Sequence, residues 1–548
     1  MLQISNIRVR PGHEACDLNH KIKKILGCEP DEMQIIKRSL DARKKDDIHY
    51  LYSVAVRVPD EGKRLRRRQD KNVTEYKPPV FTLPEPGSEE LSSRPVIVGA
   101  GPAGLLCALT LARAGYRPLL LEQGAPVEER LTDVEGFWAG KPLKPWSNVQ
   151  FGEGGAGTFS DGKLMTRVKD KEGLIRQVLS CFVDAGAPAE ILYEAKPHLG
   201  TDTLAPMVRN LREEIIRHGG EVLFHERLID IRHAEGALTK IISENTNTGQ
   251  KSERDCRVLV LAPGHSATKT FELLKQYGAA MTPKSFAVGL RIQHPQSQVD
   301  EIQYGAENRE RLGLPAADYQ LTAQTKDGRG VFSFCMCPGG QVVNASSEEG
   351  HLAVNGMSYS SRDGRNANSA LVVSVTPDDF GYEPGGEVLA GVYWQRALER
   401  SFFACAGGAV PVQLWGDFEK GVASRELGEV MPDIRGRWQL SELRSLLPEA
   451  LGRALCEAMP QFERRMKGFY RPDAVLAGIE SRTSSPVRVE RDAFGESSLK
   501  GLYPCGEGAG YAGGITSAAA DGIRIARFII RRYCPQGILA CESSRMPV

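Results

Sequence analysis

The sequence predicts an α/β protein in which two distant segments of the chain complete one parallel sheet. In the first segment, an apolar strand at 95–98 leads into a glycine-rich turn, an alanine-rich helix and a second strand that ends at Glu122. In the second, the glycine-rich stretch 501–515 joins a short apolar strand to a helix with one apolar face. With 548 residues, the chain is long enough to hold further domains.

Residues 1–60 form the first predicted unit. Residues 48–58 alternate apolar with mostly polar side chains, which is typical of a half-buried strand, and residues 2–9 form another strand. Leu18 and Ile22 lie at helical spacing between the two strands. We therefore expect a compact α+β module at the N-terminus.

A basic arm and a proline-rich linker follow over residues 61–93. The arm carries the run Lys63-Arg64-Leu65-Arg66-Arg67-Arg68, which is short, has no aromatic side chains between its charges and is flanked by acidic residues. These features favour a solvated, flexible arm over a nucleic-acid site. Binding of RNA through the module and the arginines of this run remains a hypothesis of a different functional class.

Residues 94–284 are predicted to form the first part of a dinucleotide-binding domain. Gly99 permits a tight turn, Gly101 lets backbone amides approach a pyrophosphate, and Gly104 lets the helix pack closely on the strand. The helix N-terminus adds partial positive charge. Glu122, which has no arginine beside it, favours an adenosine ribose without a phosphate. The predicted nucleotide-binding residues are Gly99, Gly101, Pro102, Ala103, Gly104, Glu122 and Gln123.

A second GxGxxG match at 152–157 is not predicted to be a second Rossmann turn. Residues 146–151 before it do not have the pattern of a buried strand, and residues 158–163 are a poor start for a helix. The glycines instead predict a loop that lies against a flat cofactor, with two hydroxyl groups as hydrogen-bond donors. A purely structural glycine loop is the alternative. The predicted contact residues are Gly152, Gly154, Gly155, Gly157, Thr158 and Ser160.

The chain then runs through a predicted helix at 204–218 and a β-rich excursion. A strand at 257–261 returns to the parallel sheet and ends in a turn whose Gly264 is predicted to contact the cofactor. Residues 285–475 carry no nucleotide signature and are predicted to form an inserted α+β substrate domain.

Residues 476–535 are predicted to complete the cofactor-binding domain, and residues 536–548 form a tail. A strand at 501–505 precedes a glycine-rich turn, and a helix at 515–531 follows it. The N-terminus of this helix directs unpaired amides and a positive dipole end at a ligand. The predicted cofactor-binding residues here are Gly506, Glu507, Gly513, Gly514 and Ile515.

These motifs resemble those of the FAD-dependent dehydrogenases and oxidoreductases, and most closely those of a bacterial subgroup of uncharacterised FAD-dependent dehydrogenases. The resemblance covers residues 94 to 531 and the N-terminal module, and its motifs are 98–104, 151–158, 333–340, 478–486 and 506–514. It implies a FAD-binding domain of the glutathione reductase type with an inserted substrate domain. Glu507 departs from the Asp that many flavoproteins carry at this position, where it would accept a hydrogen bond from a ribitol hydroxyl.

Three residues are predicted to take part in catalysis: Cys335, Cys337 and Arg482. The two cysteines could form a redox pair or a thiolate nucleophile, and a buried structural pair is the alternative. A CxC pair is a poor zinc half-site, so we expect no metal. Arg482 could neutralise a reduced flavin or hold a substrate carboxylate, or it could form an ion pair with Glu480 or Glu490.

Composition limits the functional classes. The 70 basic and 69 acidic residues give a net charge of +1, so we do not expect nucleic acid or anionic membrane as a partner. The twelve cysteines lack the spacing of a disulfide framework, and the N-terminus lacks the features of a signal peptide. No apolar run is long enough for a membrane span. We therefore expect a cytoplasmic protein; its oligomeric state is left open.

The leading hypothesis is a soluble FAD-dependent oxidoreductase that transfers hydride between a small-molecule substrate and non-covalently bound FAD. An alternative is a flavin monooxygenase fed by NADH or NADPH, with NAD(P)H as a diffusible electron donor. His198 and His265 are further acid–base groups with ordinary pKa values near neutrality, although loop hydrogen bonding is the commoner role for such residues.

Overall fold

The structure, a computed structural model, describes residues 1–67, 71–166 and 168–535. The tail 536–548 and Arg68 of the basic arm lie outside these residues. The predicted fold class is confirmed: a parallel α/β sheet is interrupted by a large insert and preceded by a small α+β module.

The N-terminal module is an antiparallel sheet packed against one helix. Its strands lie in the order β2-β3-β1-β4, and Leu18 and Ile22 of the helix α1 are buried against them. The elements of the module are β1 (Leu2–Val9), α1 (Glu14–Leu26), β2 (Glu32–Asp41), β3 (His49–Arg57), α2 (Glu61–Arg67) and β4 (Val73–Glu75).

The module extends beyond residue 60, where we expected it to end. The basic run begins in the short helix α2 rather than in an irregular arm, and β4 then pairs with β1 as an edge strand. Strand β2 has no counterpart in the predictions, because none of its residues is fully buried and it lacks apolar alternation.

The cofactor-binding domain is built on a parallel sheet in the order β25-β12-β6-β7-β8. The elements of its first part are β5 (Glu89–Glu90), β6 (Val96–Val98), α3 (Pro102–Arg113), β7 (Leu119–Leu121), α4 (Val127–Trp138), α5 (Leu174–Asp184), α6 (Thr201–Arg217), β8 (Glu221–Leu223), β9 (Glu226–Ala234), β10 (Ala237–Asn245), β11 (Lys251–Asp255), β12 (Leu259–Leu261), α7 (Thr268–Gln276) and β13 (Met281–Pro283). Short 3-10 helices lie at Ala156–Phe159 and Ala189–Leu192.

The inserted domain contains a seven-stranded sheet in the order β15-β16-β19-β14-β23-β20-β22. Its elements are β14 (Phe286–Pro295), α8 (Gln296–Tyr304), α9 (Asn308–Leu312), β15 (Thr322–Gln324), β16 (Gly330–Cys337), β17 (Gln341–Asn344), β18 (Val354–Met357), β19 (Asn366–Val375), α10 (Ala390–Cys405), β20 (Val410–Leu414), α11 (Trp415–Lys420), β21 (Ile434–Arg435), β22 (Trp438–Leu440), α12 (Glu449–Arg465) and β23 (Val475–Glu480), with a 3-10 helix at Pro377–Phe380. Because β23 belongs to this sheet, the insert extends past the expected boundary at residue 475.

The C-terminal segment returns to the parallel sheet, and its elements are β24 (Val487–Val489), β25 (Leu502–Pro504), α13 (Ile515–Arg532) and β26 (Tyr533–Cys534). β25 pairs with β12 in parallel, so the two distant glycine-rich segments do share one sheet. Helices α3 and α13 cross closely, since a Cβ atom on Gly522 would lie 2.1 Å from the carbonyl oxygen of Ala103.

Contacts between distant segments close the cofactor-binding domain and attach the N-terminal module to it. β26 pairs with β5 in parallel, and the Tyr116 hydroxyl donates a 2.6 Å hydrogen bond to the Tyr533 carbonyl oxygen. The N-terminal module is attached through β2: Arg38 N donates to Tyr193 O, and Ala195 N donates to Arg38 O. Within the described part of the chain, no helix has the length and apolar content to cross a lipid bilayer.

Candidate cofactor and substrate site

A cavity of about 1030 Å³ lies between the parallel sheet and the inserted domain. On the sheet side it is lined by residues that follow the carboxyl ends of β6, β12 and β25, such as Gly99, Ala262 and Cys505. On the other side it is lined by residues 332–336 of β16 and by Glu480 and Arg482. Its position agrees with the rule that open α/β sheets bind ligands beyond the carboxyl ends of their strands, and its size reaches the upper end of the range of ligand pockets, roughly 300–1,000 Å³.

The turn between β6 and α3 needs its glycines for two different reasons. Gly99 has φ +100°, and a Cβ atom there would lie 2.2 Å from the carbonyl oxygen of Ala262. A Cβ atom on Gly104 would lie 1.8 Å from Gly99 O, so this residue permits the close packing of helix and strand. Gly101 caps α3, and the first residues of the helix line the cavity.

Glu122 connects three loops at one end of the cavity. Its Oε2 accepts a 2.8 Å hydrogen bond from Ala100 N, and its Oε1 accepts hydrogen bonds from Gly124 N and Gly152 N. The side chain also lies in the cavity lining, next to Gln123. A carboxylate has about four lone-pair positions, so Glu122 can hold these backbone amides and still accept a ligand hydroxyl.

The glycine loop at 152–157 is organised by Arg130, which the sequence analysis missed. The Arg130 side chain is fully buried and donates hydrogen bonds to the carbonyl oxygens of five residues: Asn148, Val149, Gly152, Glu153 and Gly155. Burial lowers the pKa of Arg130 to about 10, so the guanidinium remains charged at neutral pH. An arginine in a helix with several charged residues gives no signal in the sequence that its side chain points inward.

Glu153, which belongs to the same loop, connects it to α4 and α6. Its Oε2 accepts a 2.8 Å hydrogen bond from Val127 N and forms a 2.9 Å ion pair with Arg212. Burial raises the pKa of Glu153 to about 7, and the neighbouring carboxylates Glu128 and Glu122 add to this effect.

Most of the predicted cofactor-binding residues line the cavity. They are Gly99, Gly101, Pro102, Ala103, Glu122, Gln123, Gly152, Gly155, Gly157, Ser160, Gly264, Glu507, Gly513, Gly514 and Ile515. Ser160 uses its hydroxyl hydrogen within the loop, since Ser160 Oγ donates to Gly157 O over 2.7 Å. Its predicted role as a donor to the cofactor therefore does not hold in this conformation.

Four predicted cofactor-binding residues lie outside the cavity lining: Gly104, Gly154, Thr158 and Gly506. Thr158 is buried behind the loop, where it lines a small apolar space with Leu105 and Phe182. It therefore cannot donate to a cofactor as predicted. Gly506 has φ +75° and donates its N–H to the buried carboxylate of Asp521 over 2.9 Å, so it shapes the turn from behind.

The two predicted redox cysteines occupy different positions. Cys335 lines the cavity, whereas Cys337 is fully buried behind it, and its thiol donates to Cys335 O over 3.3 Å. Arg291 lies beneath both: its guanidinium pairs with Glu480 over 2.6 Å and donates to Cys335 O over 2.9 Å. The expected pair is thus present as two thiols, one of which faces the cavity.

Arg482 also lines the cavity, but both partners suggested for its ion pair are wrong. Its Nε and Nη2 each donate a 2.8 Å hydrogen bond to the buried carboxylate of Glu399. Glu480 pairs with Arg291 instead, and Glu490 accepts a hydrogen bond from Thr282. Because Glu399 holds the guanidinium, Arg482 presents a fixed positive charge to the cavity.

Glu507, His265 and Lys163 are further titratable side chains in the cavity lining. Burial raises the pKa of Glu507 to about 7. Burial and the nearby Arg482 lower the pKa of His265 to about 4, so its ring is neutral at neutral pH, and its Nε2 has no hydrogen-bond partner among the described residues. Lys163 pairs with Asp161 over 2.6 Å and donates to Met336 O.

Comparison with known proteins assigns this architecture. Residues 285–483 match a family described as "FAD-dependent protein, C-terminal domain-like", and residues 97–127 match an NAD(P)-binding Rossmann-like domain. A protein of Clostridium beijerinckii, described only as an uncharacterized protein, is 48% identical over 539 residues, which cover 97% of this chain and 99% of that protein. The chain belongs to the FAD-dependent oxidoreductases.

The N-terminal module and the solved structures add two findings. Residues 1–57 of this FAD-dependent oxidoreductase match a domain family of unknown function, DUF8436. A quinol–fumarate reductase of E. coli aligns with a TM-score of 0.36 at 12% identity, over 81% of this chain and 70% of that one. A flavoprotein/dehydrogenase of Cytophaga hutchinsonii aligns with a TM-score of 0.35 at 12% identity, over 80% and 78% of the two chains.

The residues of the cavity fit FAD. A Cβ atom on Gly264, Gly513 or Gly514 would have no protein atom within 4 Å, so these three glycines leave open space for a ligand to approach the backbone. The N-termini of α3 and α13 both lie in the cavity lining, where they favour a diphosphate and a negatively charged ring edge. The unpaired Nε2 of His265 and the carboxylates of Glu122 and Glu507 supply polar partners at separate points.

Proposed function

We propose that this FAD-dependent oxidoreductase is a dehydrogenase that transfers hydride between a small organic substrate and non-covalently bound FAD. The observation that carries the proposal is the single cavity that runs from the nucleotide turn at Gly99 to the inserted-domain residues 332–336. Because one cavity joins the two, a substrate bound against the inserted domain would lie next to the cofactor.

The chain's own residues would hold the cofactor at three points. The amides at the start of α3 bind the diphosphate, and Glu122 accepts a hydrogen bond from the adenosine ribose. The N-terminus of α13 favours negative charge on the reduced ring, as does the cationic Arg482. When bound, FAD supplies the hydride-accepting chemistry, which no protein side chain provides.

The substrate would bind on the inserted-domain side. Phe332 and Phe334 give this part of the cavity an apolar surface, and Lys163 and Arg482 add positive charge. The combination favours a small organic molecule with an apolar body and an anionic group. We propose no nucleic acid or membrane as a partner of this site.

Anaerobic stopped-flow absorbance tests the proposal. The holoprotein is mixed with NADH, with NADPH or with pools of small organic acids, and the flavin band is followed. We expect bleaching by one of the organic acids and not by the nicotinamides. Bleaching by NADH or NADPH alone, with hydroxylated product in the presence of oxygen, would replace the dehydrogenase with a monooxygenase.

Two variants test whether the bleaching depends on the cavity. Arg482→Met removes the fixed positive charge of the cavity, and we expect slower bleaching by the active acid in that variant. Arg232→Met, which removes a half-exposed arginine on β9, should bleach at the wild-type rate.

A further inference from the structure

Cys335 and Cys337 lie at an irregular point of β16. The register of β16 against β19 shifts by one residue between Phe334 and Cys337, which marks a β-bulge. Cys335 has φ +46°, in the left-handed region that side chains other than glycine rarely adopt. Such backbone is retained where the surroundings fix it, and it is concentrated at functional sites.

The spacing of the two cysteines is compatible with a disulfide. Two residues of fully extended chain span at most about 7 Å between Cα atoms, and disulfides join Cα atoms that are roughly 4.4–6.8 Å apart. The β-bulge bends the strand at this position. A disulfide closed over such a short loop is strained and therefore readily reduced.

The charges around the pair differ for the two sulfurs. The pKa of the Cys335 thiol lies well below its ordinary value, because the neighbouring Cys337 side chain and the cations Lys163 and Arg291 stabilise its negative charge. The pKa of the Cys337 thiol is raised, because it lies beside Cys335 and is buried. Of the two sulfurs, Cys335 is therefore the one that loses its proton more readily.

The pair adjoins the C-terminal glycine turn of the cofactor site. Cys335 shares the cavity lining with Gly513 and Gly514. A negative charge on Cys335 also contributes to the raised pKa of Glu507, so the two groups lie within electrostatic range. Cys335 thus belongs to the same cavity as the α13 N-terminus and lies within electrostatic range of Glu507.

We propose that Cys335 and Cys337 form a reversible dithiol–disulfide couple that exchanges two electrons with the bound FAD. This inference rests on the proposed function, because FAD must occupy the cavity. In reduction, the S–S bond breaks, and the pair takes two electrons and one proton from the reduced flavin. The proton goes to the Cys337 sulfur, and the Cys335 sulfur becomes a thiolate held by Lys163. In the opposite direction, thiolate and thiol return two electrons and one proton to oxidised FAD as the disulfide forms.

The protein would then hold four electrons rather than two. The inserted domain would contribute a redox centre of its own, and the electrons of a first substrate molecule could be stored while a second is oxidised. An external thiol or disulfide can reach this centre only through Cys335, since Cys337 is fully buried.

Alkylation of the holoprotein gives the decisive test. Air-oxidised and anaerobically dithionite-reduced samples are denatured in N-ethylmaleimide, and the tryptic peptide 330–362, which contains no other cysteine, is weighed. We expect no alkyl group on this peptide from the oxidised sample and two from the reduced sample. Two alkyl groups in both samples would overturn the couple.

An electron titration adds an independent measurement. The wild-type holoprotein should take up four electrons per FAD from dithionite, and Cys337→Ser should take up two. Cys405→Ser removes an exposed cysteine at the end of α10 and should keep the four-electron uptake. Two-electron uptake by the wild type, with unchanged alkylation, would disprove the couple and leave the FAD-dependent dehydrogenase intact.

Discussion

Arg130 places a buried positive charge among the backbone carbonyl groups of the glycine loop. Its five carbonyl partners lie in residues 148–155, a stretch that the structure assigns to neither an α-helix nor a strand. In most proteins, such buried carbonyls are satisfied by helices or sheets. Here, one side chain takes over that role and leaves the opposite side of the loop free for the cofactor.

Arg130→Met should therefore destabilise the protein strongly. Each buried carbonyl left without a partner costs about 1–3 kcal/mol, so we expect a loss of more than about 3 kcal/mol and little bound FAD. Thermal unfolding and the flavin-to-protein absorbance ratio measure the two effects. Arg232→Met is the control, because a half-exposed ion pair such as Arg232–Asp230 contributes less than about 1 kcal/mol. Equal unfolding temperatures for both variants would contradict the role of Arg130.

Glu153 should make folding stability depend on pH. Its folded pKa of about 7 is above its usual value of 4.5, so the folded state binds the proton more tightly than the unfolded state. The stabilisation is fully present below about pH 4.5 and is lost as the pH rises through about 7. By this linkage, the wild type should lose up to about 3 kcal/mol across this window.

Glu153→Gln should flatten this dependence, because the amide keeps an acceptor for Val127 N but does not titrate. Urea unfolding of wild type and variant at pH 5.5 and pH 8 measures the difference. The exposed Glu213 on α6 is the control site, and Glu213→Gln should retain the wild-type slope. An unchanged slope in Glu153→Gln would show that other groups produce the pH dependence.

At the residue level, the sequence predicted the glycines that a turn requires better than the pairing of charged side chains. Gly99 and Gly104 could be assigned because a turn with a fixed strand–helix context requires them. The inward direction of Arg130 and the pairing of Arg482 with Glu399 depend on contacts between distant segments. No spacing rule within one segment contains that information.

The N-terminal end of α13 leaves room for a ligand. Gly514 has φ 166°, which is extended backbone that any residue adopts, and a Cβ atom there meets no protein atom within 4 Å. A larger side chain at this position would therefore occupy the cavity without straining the helix.

Gly514→Val should weaken FAD binding at least tenfold while the stability of the FAD-free protein stays within about 0.5 kcal/mol of wild type. Fluorescence titration with FAD and unfolding of the FAD-free protein measure the two quantities. Gly62→Val on α2, where a Cβ atom is equally free, should bind FAD as the wild type does. A Gly514→Val variant with wild-type affinity would show that the cofactor does not approach α13.

Long elements with a clear periodicity of apolar residues were predictable from the sequence, and edge strands were not. The helices at 201–217 and 515–532 lie close to where the sequence predicted them. β2 and β4 were missed because their stability comes from pairing with neighbours in the sheet rather than from their own pattern.

On the scale of the whole molecule, the N-terminal module is joined to the cofactor-binding domain by one strand edge. Arg38 of β2 pairs with Glu194, stacks on Tyr50 and Tyr193, and exchanges backbone hydrogen bonds with residues 193 and 195. This backbone pairing attaches the module to the cofactor-binding domain, and the side chain of Arg38 adds charged and aromatic contacts.

Arg38→Ala should loosen this attachment. We expect the amides of Arg38's neighbours in β2 and of Ala195 to exchange with deuterium at least fivefold faster, because local opening becomes less costly. Hydrogen–deuterium exchange with mass spectrometry measures this change. Arg57→Ala removes an exposed ion pair within the module and should leave the exchange of Ala195 unchanged. Slow exchange of Ala195 in Arg38→Ala would show that the Arg38 side chain is not needed for this attachment.

The parallel sheet has a further consequence for biosynthesis. Its edge strand β25 and the strand β26, which closes the domain against β5, follow the insert in the chain and leave the ribosome after it. Domains fold in the order of translation, so the insert, complete at residue 480, can fold before the sheet that flanks it in sequence. Flavin loading must therefore wait until the segment from residue 502 onward has been translated, and a chain stopped before residue 502 would carry a folded insert without a complete cofactor site.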